Sequence, residues 1–137
     1  MKIRVILILL LTGLSFTAFA QTPEEEQKKQ EKQLNEFVAK TIEKYEELLD
    51  LEDWQVFYMD SIYTHDMKEM TKEISELGSN NVTNPSLYYV IQDKWAEAIY
   101  NAMHKILDEQ QWTKYLKMGA AREKKDRDKR AQKNKQL

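Results

Sequence analysis

Cysteine is absent from the 137 residues, and glycine, with three, and proline, with two, are nearly as scarce. The lack of cysteine excludes a disulfide framework, thiol chemistry, thiolate-held metal and a lipid anchor on cysteine. The few glycines leave no Gly-rich phosphate loop and no Gly-x-Ser-x-Gly turn. Sustained polar/apolar alternation is missing, as is any hairpin dipeptide between β-rich runs, which argues against a sheet. The chain also lacks an apolar run of the roughly 20 residues that a membrane span requires.

What is present begins with a short apolar run. Met1-Lys2-Ile3-Arg4 precedes Val5–Leu11, and the segment closes on Ala18-Phe19-Ala20, the three-part order of a secretory signal. Cleavage near Ala20 is expected to leave a soluble, exported (periplasmic) chain of 117 residues, one small domain. An exported chain without thiols meets an oxidising compartment with nothing to oxidise. Charge divides the remainder: residues 22–118 carry 11 basic and 20 acidic side chains, residues 119–137 carry 8 and 3. The reading is therefore a signal over 1–20, an acidic helical body over 21–118 and a basic, charged helix or tail over 119–137.

Periodicity predicts an all-α protein of about four helices, an elongated helical hairpin or small bundle. The first spans about Pro23 to Leu49, opened by a Thr22/Glu25 capping box, with Leu34, Phe37, Val38, Ile42, Tyr45, Leu48 and Leu49 on one stripe. The second spans about Leu51 to Leu77, about 40 Å of helix. It carries two stripes. Val56, Met59, Tyr63, Met67, Met70, Ile74 and Leu77 run its full length, and Leu51, Trp54, Tyr58 and Ile62 occupy the first half. A helix apolar around so much of its circumference needs neighbours on more than one side. Gly78 is placed to end it in a left-handed conformation. The third spans about Pro85 to Leu107 after Asn84, with Leu87, Ile91, Trp95, Ala98, Ile99, Ala102 and Ile106 facing inward and Asp93, Glu97, Asn101 and His104 opposite. Asp108 then caps a fourth helix that carries Trp112, Tyr115 and Leu116 before the charged segment Arg122–Lys135, in which order is expected to fade beyond Ala131.

Two helix starts are alike. Leu51-Glu52-Asp53-Trp54-Gln55 and Leu107-Asp108-Glu109-Gln110-Gln111 share Leu-acidic-x-x-Gln. In each, an oxygen-bearing side chain can cap free N–H groups while the Gln reaches back to the cap. Asp108 suits that role well; Glu52 is a poorer cap than its neighbour Asp50. This doubled junction resembles the LTxxQ-motif periplasmic family, the Spy- and CpxP-like proteins, in which one copy opens the helical body and a second follows a long helix. The resemblance covers residues 45–130; the motif threonine is Glu52 in one copy and Asp108 in the other. It implies thin helical hairpins that pair antiparallel into a cradle-shaped dimer, hold partly folded proteins without ATP and, in CpxP-like members, damp a stress-sensing kinase. The family's chaperone has a largely basic cradle, whereas this body is acidic.

Trp54, Tyr58, Met59, Tyr63, Met67 and Met70 form the candidate polypeptide-binding or dimer surface, since methionine adapts its shape and tyrosine pairs apolar area with a polar tip. One of the second helix's two stripes must instead be core, and Trp54, Trp95 and Trp112 read as core anchors. His65 and His104 lie on different helices without the i, i+4 spacing of a helical zinc site, so no metal site is assigned. The evenly spread carboxylates nominate no catalytic pair, and neither an enzymatic activity nor a cofactor is expected. In the tail, Glu123 with Arg127 and Asp126 with Arg130 fall at i, i+4 spacing on a solvated helix. Nucleic acid is not an expected partner; the tail makes at most peripheral contact with anionic headgroups or an acidic partner. Three functions stand: an ATP-independent chaperone or envelope-stress adaptor, a subunit docking one folded envelope partner, and a metal-stress binding protein. All three imply a homodimer.

Overall fold

The structure, a computed structural model, describes residues 22–135, and those residues are helical almost throughout, without a strand among them. The expected signal, residues 1–20, lies outside them. We label the helices α1 (Pro23–Leu49), α2 (Asp53–Ser79), α3 (Pro85–Ile106), α4 (Glu109–Tyr115) and α5 (Ala121–Asn134), with a π-helical turn over Leu116–Ala120 between the last two. The all-α architecture expected from periodicity is the one observed. No described helix is long and apolar enough to cross a membrane.

The chain divides into two compact units, the first ending at Gln30 and the second running from Glu31. In the first, Thr22 and Glu25 close the predicted capping box, each N–H donating to the other's side chain at 3.3 Å, and Lys28 pairs with Glu24 at 2.9 Å. Acidic Glu24, Glu25 and Glu26 occupy the first turn, where the helix dipole favours negative charge.

In the second unit the core collects one stripe from each of the first three helices, Val38, Ile42 and Leu49 of α1, Met59 and Tyr63 of α2, Ile99 and Met103 of α3, and adds Leu107 and Tyr115. Met59 and Met103 are wholly buried. Side chains so enclosed contribute about 1.5–3 kcal/mol each, and methionine's unbranched chain fills the irregular gaps that crossing helices leave. Short connections force neighbouring helices antiparallel. Lys68 reaches Glu31 across α1 and α2 at 3.1 Å, and Lys94 reaches Glu73 across α2 and α3 at 2.6 Å.

Several expectations are corrected. Gly78 is not left-handed; α2 runs one residue past it, and Asn81 (φ 55°) takes the left-handed position. There the Asn81 N–H donates to the Gly78 carbonyl and the Val82 N–H to the Leu77 carbonyl, both at 3.1 Å, so the last carbonyls of the helix find partners. Asp50 (φ 53°) plays the same part after α1, with the Leu51 N–H donating to the Glu46 carbonyl at 3.2 Å. Phe37 and Leu48 of the first stripe, and Leu87 and Ala98 of the third, are exposed. The last helix, α5, continues past Ala131 to Asn134.

The tail is also not a free solvated helix. Arg127 donates to Glu97 through Nε and Nη2 (3.3 and 3.2 Å), and Arg130 grips Asp93 through two bonds of 2.7 Å. These partners lie on α3, on the face read from sequence as solvent-facing, and replace the expected pairs within the tail. Arg127 is only 7% exposed and stacks over the Tyr100 ring at 5.5 Å. Gly119, at φ 120° inside the π turn, provides the bend between α4 and α5; a conformation there is one that residues with a Cβ rarely adopt.

Candidate functional site

The two similar junctions meet face to face. Each of Gln55 and Gln111 sits three residues after its helix's N-cap, which turns the side chain back toward the cap. Gln55 Oε1 accepts from the Glu52 N–H (2.9 Å), and Gln111 Oε1 accepts from the Asp108 N–H (3.0 Å). The amides also bind one another: Gln55 Nε2 donates to Gln111 Oε1 at 2.6 Å and Gln111 Nε2 to Gln55 Oε1 at 2.9 Å. Each uses its remaining N–H on the carbonyl two residues before the opposite N-cap, Gln55 on Ile106 (2.8 Å) and Gln111 on Asp50 (3.2 Å). Both donors and both lone pairs of each buried amide are engaged, in a pattern with local two-fold symmetry. Buried amides left unpaired cost several times what a paired one contributes, so full satisfaction is what permits them here. Of the six junction residues singled out in the sequence, Leu107, Gln55 and Gln111 are buried, Leu51 packs half-buried against the core, and Glu52 and Asp108 are exposed caps. Asp108 Oδ1 accepts from the Gln110 and Gln111 N–H groups, both at 2.8 Å.

Glu52 does something else as well. Its carboxylate accepts from the Trp54 indole N–H and so holds that ring at the start of α2. Trp54 is 48% exposed and meets Tyr58 edge-on at 6.2 Å, and Tyr58 meets Phe57 edge-on at 5.7 Å. Tyr58 is 53% exposed and Phe57 68%. The three form an aromatic ridge on the outward side of α2.

The candidate surface read from sequence therefore divides. Trp54 and Tyr58 are outward, whereas Met59 and Tyr63 are core and cannot present themselves to a partner. Met67 and Met70 are half-buried, Met67 packing against the core. Trp54 is not a core anchor; Trp95 and Trp112 are half-buried, and Trp112 packs against the core. Phe57 was missed because it falls between the two stripes, and only the three-dimensional neighbours reveal it as the most exposed of the large apolar side chains on this helix.

Behind the ridge, the buried phenols gather. Tyr45 lies 6.1 Å from Tyr63 and 5.6 Å from Tyr115, ring centre to ring centre, and together with Arg127 and Glu123 they line a cavity of about 140 Å³. Burial pushes all three phenols above their ordinary value, since a phenolate would be stranded away from water. The histidines are apart: His104 stacks on Trp112 at 4.3 Å, and His65 Nδ1 donates to Asp66 Oδ1 at 2.8 Å beside Trp95. Among the described residues no group of three or more His, Asp or Glu is arranged to hold a metal ion.

These features define an all-helical protein with a locked junction and an exposed aromatic face. Comparison with protein-family models, curated proteins and solved structures finds no match to the chain.

Proposed function

We propose that this protein is an exported, ATP-independent chaperone or envelope-stress adaptor of the LTxxQ type, which shields apolar segments that partly unfolded proteins expose. The observation that carries the reading is the ridge of Trp54, Phe57 and Tyr58. Aromatic rings left in water beside one another mark an interaction surface more than scattered apolar residues do. The paired Gln55 and Gln111 add support, because both motif glutamines contribute to one structural element, as a doubled motif implies. In this reading the protein works by burial alone, with no cofactor and no catalytic step, and two copies pair.

Light scattering tests it. Residues 21–137, which hold the whole of the described fold, are added without ATP to two unrelated denatured proteins on dilution. Suppressed aggregation of both, lost in a Trp54→Ala/Phe57→Ala/Tyr58→Ala variant that remains helical, is the expected result. Absence of suppression by the folded protein would sink the chaperone reading and leave a subunit that docks one folded partner. Sedimentation at micromolar concentration checks the pairing, and a monomer would count against it.

A further inference from the structure

Beside the ridge, α1 and α2 enclose an open groove of about 440 Å³. Its floor is apolar, with Ile42 and Val56 beneath and Phe57 forming one wall. Its rim carries Glu43 and Glu46 from α1 and Asp53 and Asp60 from α2, two carboxylates along each side. All four are exposed, and none makes an ion pair within the described residues. The surrounding sequence reinforces the sign: residues 43–60 hold seven carboxylates and a single lysine. Carboxylates that face each other across an apolar trough repel one another and concentrate a negative potential there, which a cationic occupant relieves.

We propose that this groove is a peptide-binding site selective for cationic amphipathic segments, in which apolar side chains lie on Ile42, Val56 and Phe57 while Lys or Arg side chains meet the four rim carboxylates. The assignment deepens the reading above and rests on it, naming the kind of segment this face selects. A groove between two helices accepts an amphipathic helix along its length through anchors spaced three and four residues apart. Rim charges add selection and faster association more than they add contact area. The opposite side of α1 differs in sign: Phe37, Lys40, Thr41 and Lys44 border a second depression against Tyr63. A cationic segment is therefore directed to one side of α1 and repelled from the other.

The test uses residues 21–137 and two labelled synthetic peptides, followed by fluorescence anisotropy. One is an amphipathic helix with leucines on one face and lysines on the other; the second replaces every lysine by glutamate. The expected result is binding of the lysine peptide at least about tenfold tighter than the glutamate peptide, a preference that salt erodes. A Glu43→Gln/Glu46→Gln/Asp60→Asn variant, changed only at exposed sites without loss of shape, should reduce that preference about tenfold while leaving helicity unchanged. Equal binding of both peptides, insensitive to salt, would overturn the charge selection and leave the chaperone reading standing. Suppression of client aggregation with neither peptide bound would overturn the groove alone; failure of both assays would remove the two proposals together. A dimer that dissociates in the triple variant would assign the groove to a second copy of this chain and overturn the peptide site.

Discussion

Gln55 and Gln111, 56 residues apart in sequence, bind each other amide to amide through two hydrogen bonds of 2.6 and 2.9 Å while each also holds the start of its own helix. Removing one leaves the other's amide buried with half its partners gone. Gln55→Ala and Gln111→Ala are each expected to cost about 2–4 kcal/mol, a buried unsatisfied amide plus a lost cap. The double variant should cost less than the sum, with a coupling of about 1–3 kcal/mol in a urea-unfolding cycle. Additive losses would show that the two junctions act separately.

Two neighbours on α2 offer a contrast that chemical class alone would not predict. Met59→Ala empties a fully enclosed site and should lower stability by about 2–5 kcal/mol. Phe57→Ala, two residues earlier and 68% exposed, should change stability by no more than about 0.5 kcal/mol. Aggregation suppression should respond in the opposite order, with Phe57→Ala the more damaging of the two at a temperature where both are folded.

Docking of the tail is also open to measurement. Glu97→Gln and Asp93→Asn remove the negative charges that pair with Arg127 and Arg130. Glu97 is more than a third exposed, so the loss in global stability should be modest, about 1 kcal/mol. The sensitive readout is limited trypsin digestion. Cleavage within residues 122–135 should accelerate several-fold in the double variant, and an unchanged rate would mean that the basic helix is held by something other than these pairs.

Gly119→Ala should destabilise by about 1–3 kcal/mol, and for a conformational reason. A methyl group there meets only Glu123 Oε1 at 3.8 Å, so the space exists, but φ of 120° does not suit an L side chain. Thermal unfolding would report the loss; Gly78→Ala, with nothing within 4 Å and an ordinary helical backbone, should be neutral or slightly stabilising.

The buried phenols fix the alkaline limit. Unfolded, Tyr45, Tyr63 and Tyr115 would release protons around the ordinary value of 10.0; folded, burial holds those protons on to higher pH. The folded state therefore binds more protons above pH 10, and stability falls as pH rises through that range. Below it, the three contribute their full share and stability should be flat with respect to them. The two enclosed phenols, Tyr63 and Tyr115, can each remove up to about 1.4 kcal/mol per pH unit. A phenolate absorbance titration should show two of the seven tyrosines, Tyr63 and Tyr115, ionising only together with unfolding, and Tyr63→Phe should shift the alkaline midpoint upward relative to its stability at neutral pH.

How much of this was legible in the sequence depends on the range of each interaction. Caps act over three or four residues, so Thr22 with Glu25, Asn84 before Pro85, and Asp108 with Gln111 could be read directly and lie where they were expected. The resemblance between the two junctions was visible too, but their contact was not, because nothing local reports a partner 56 residues away. The second helix showed two stripes; which one was core depended on where α1 and α3 pack. Arg127 and Arg130 were misassigned for the same reason: i, i+4 spacing offered Glu123 and Asp126, and geometry preferred Glu97 and Asp93, 30 and 37 residues away. Asn81 rather than Gly78 takes the left-handed position because α2 continues to Ser79, and the Leu77 and Gly78 carbonyls accept from Val82 and Asn81 beyond its end.

The glutamine clasp also bears on the order of folding. Its two halves enclose nearly all of α2 and the whole of α3, so the chain between them must be shortened by helix formation and folded back before the amides can meet. Local capping bonds and the α2–α3 turn can form without it. A contact that closes so long a segment belongs late on the folding route, and what it stabilises is the finished state more than the barrier leading to it. Gln55→Ala should therefore leave the refolding rate nearly unchanged and speed unfolding, which makes the clasp chiefly a determinant of how long each molecule stays folded.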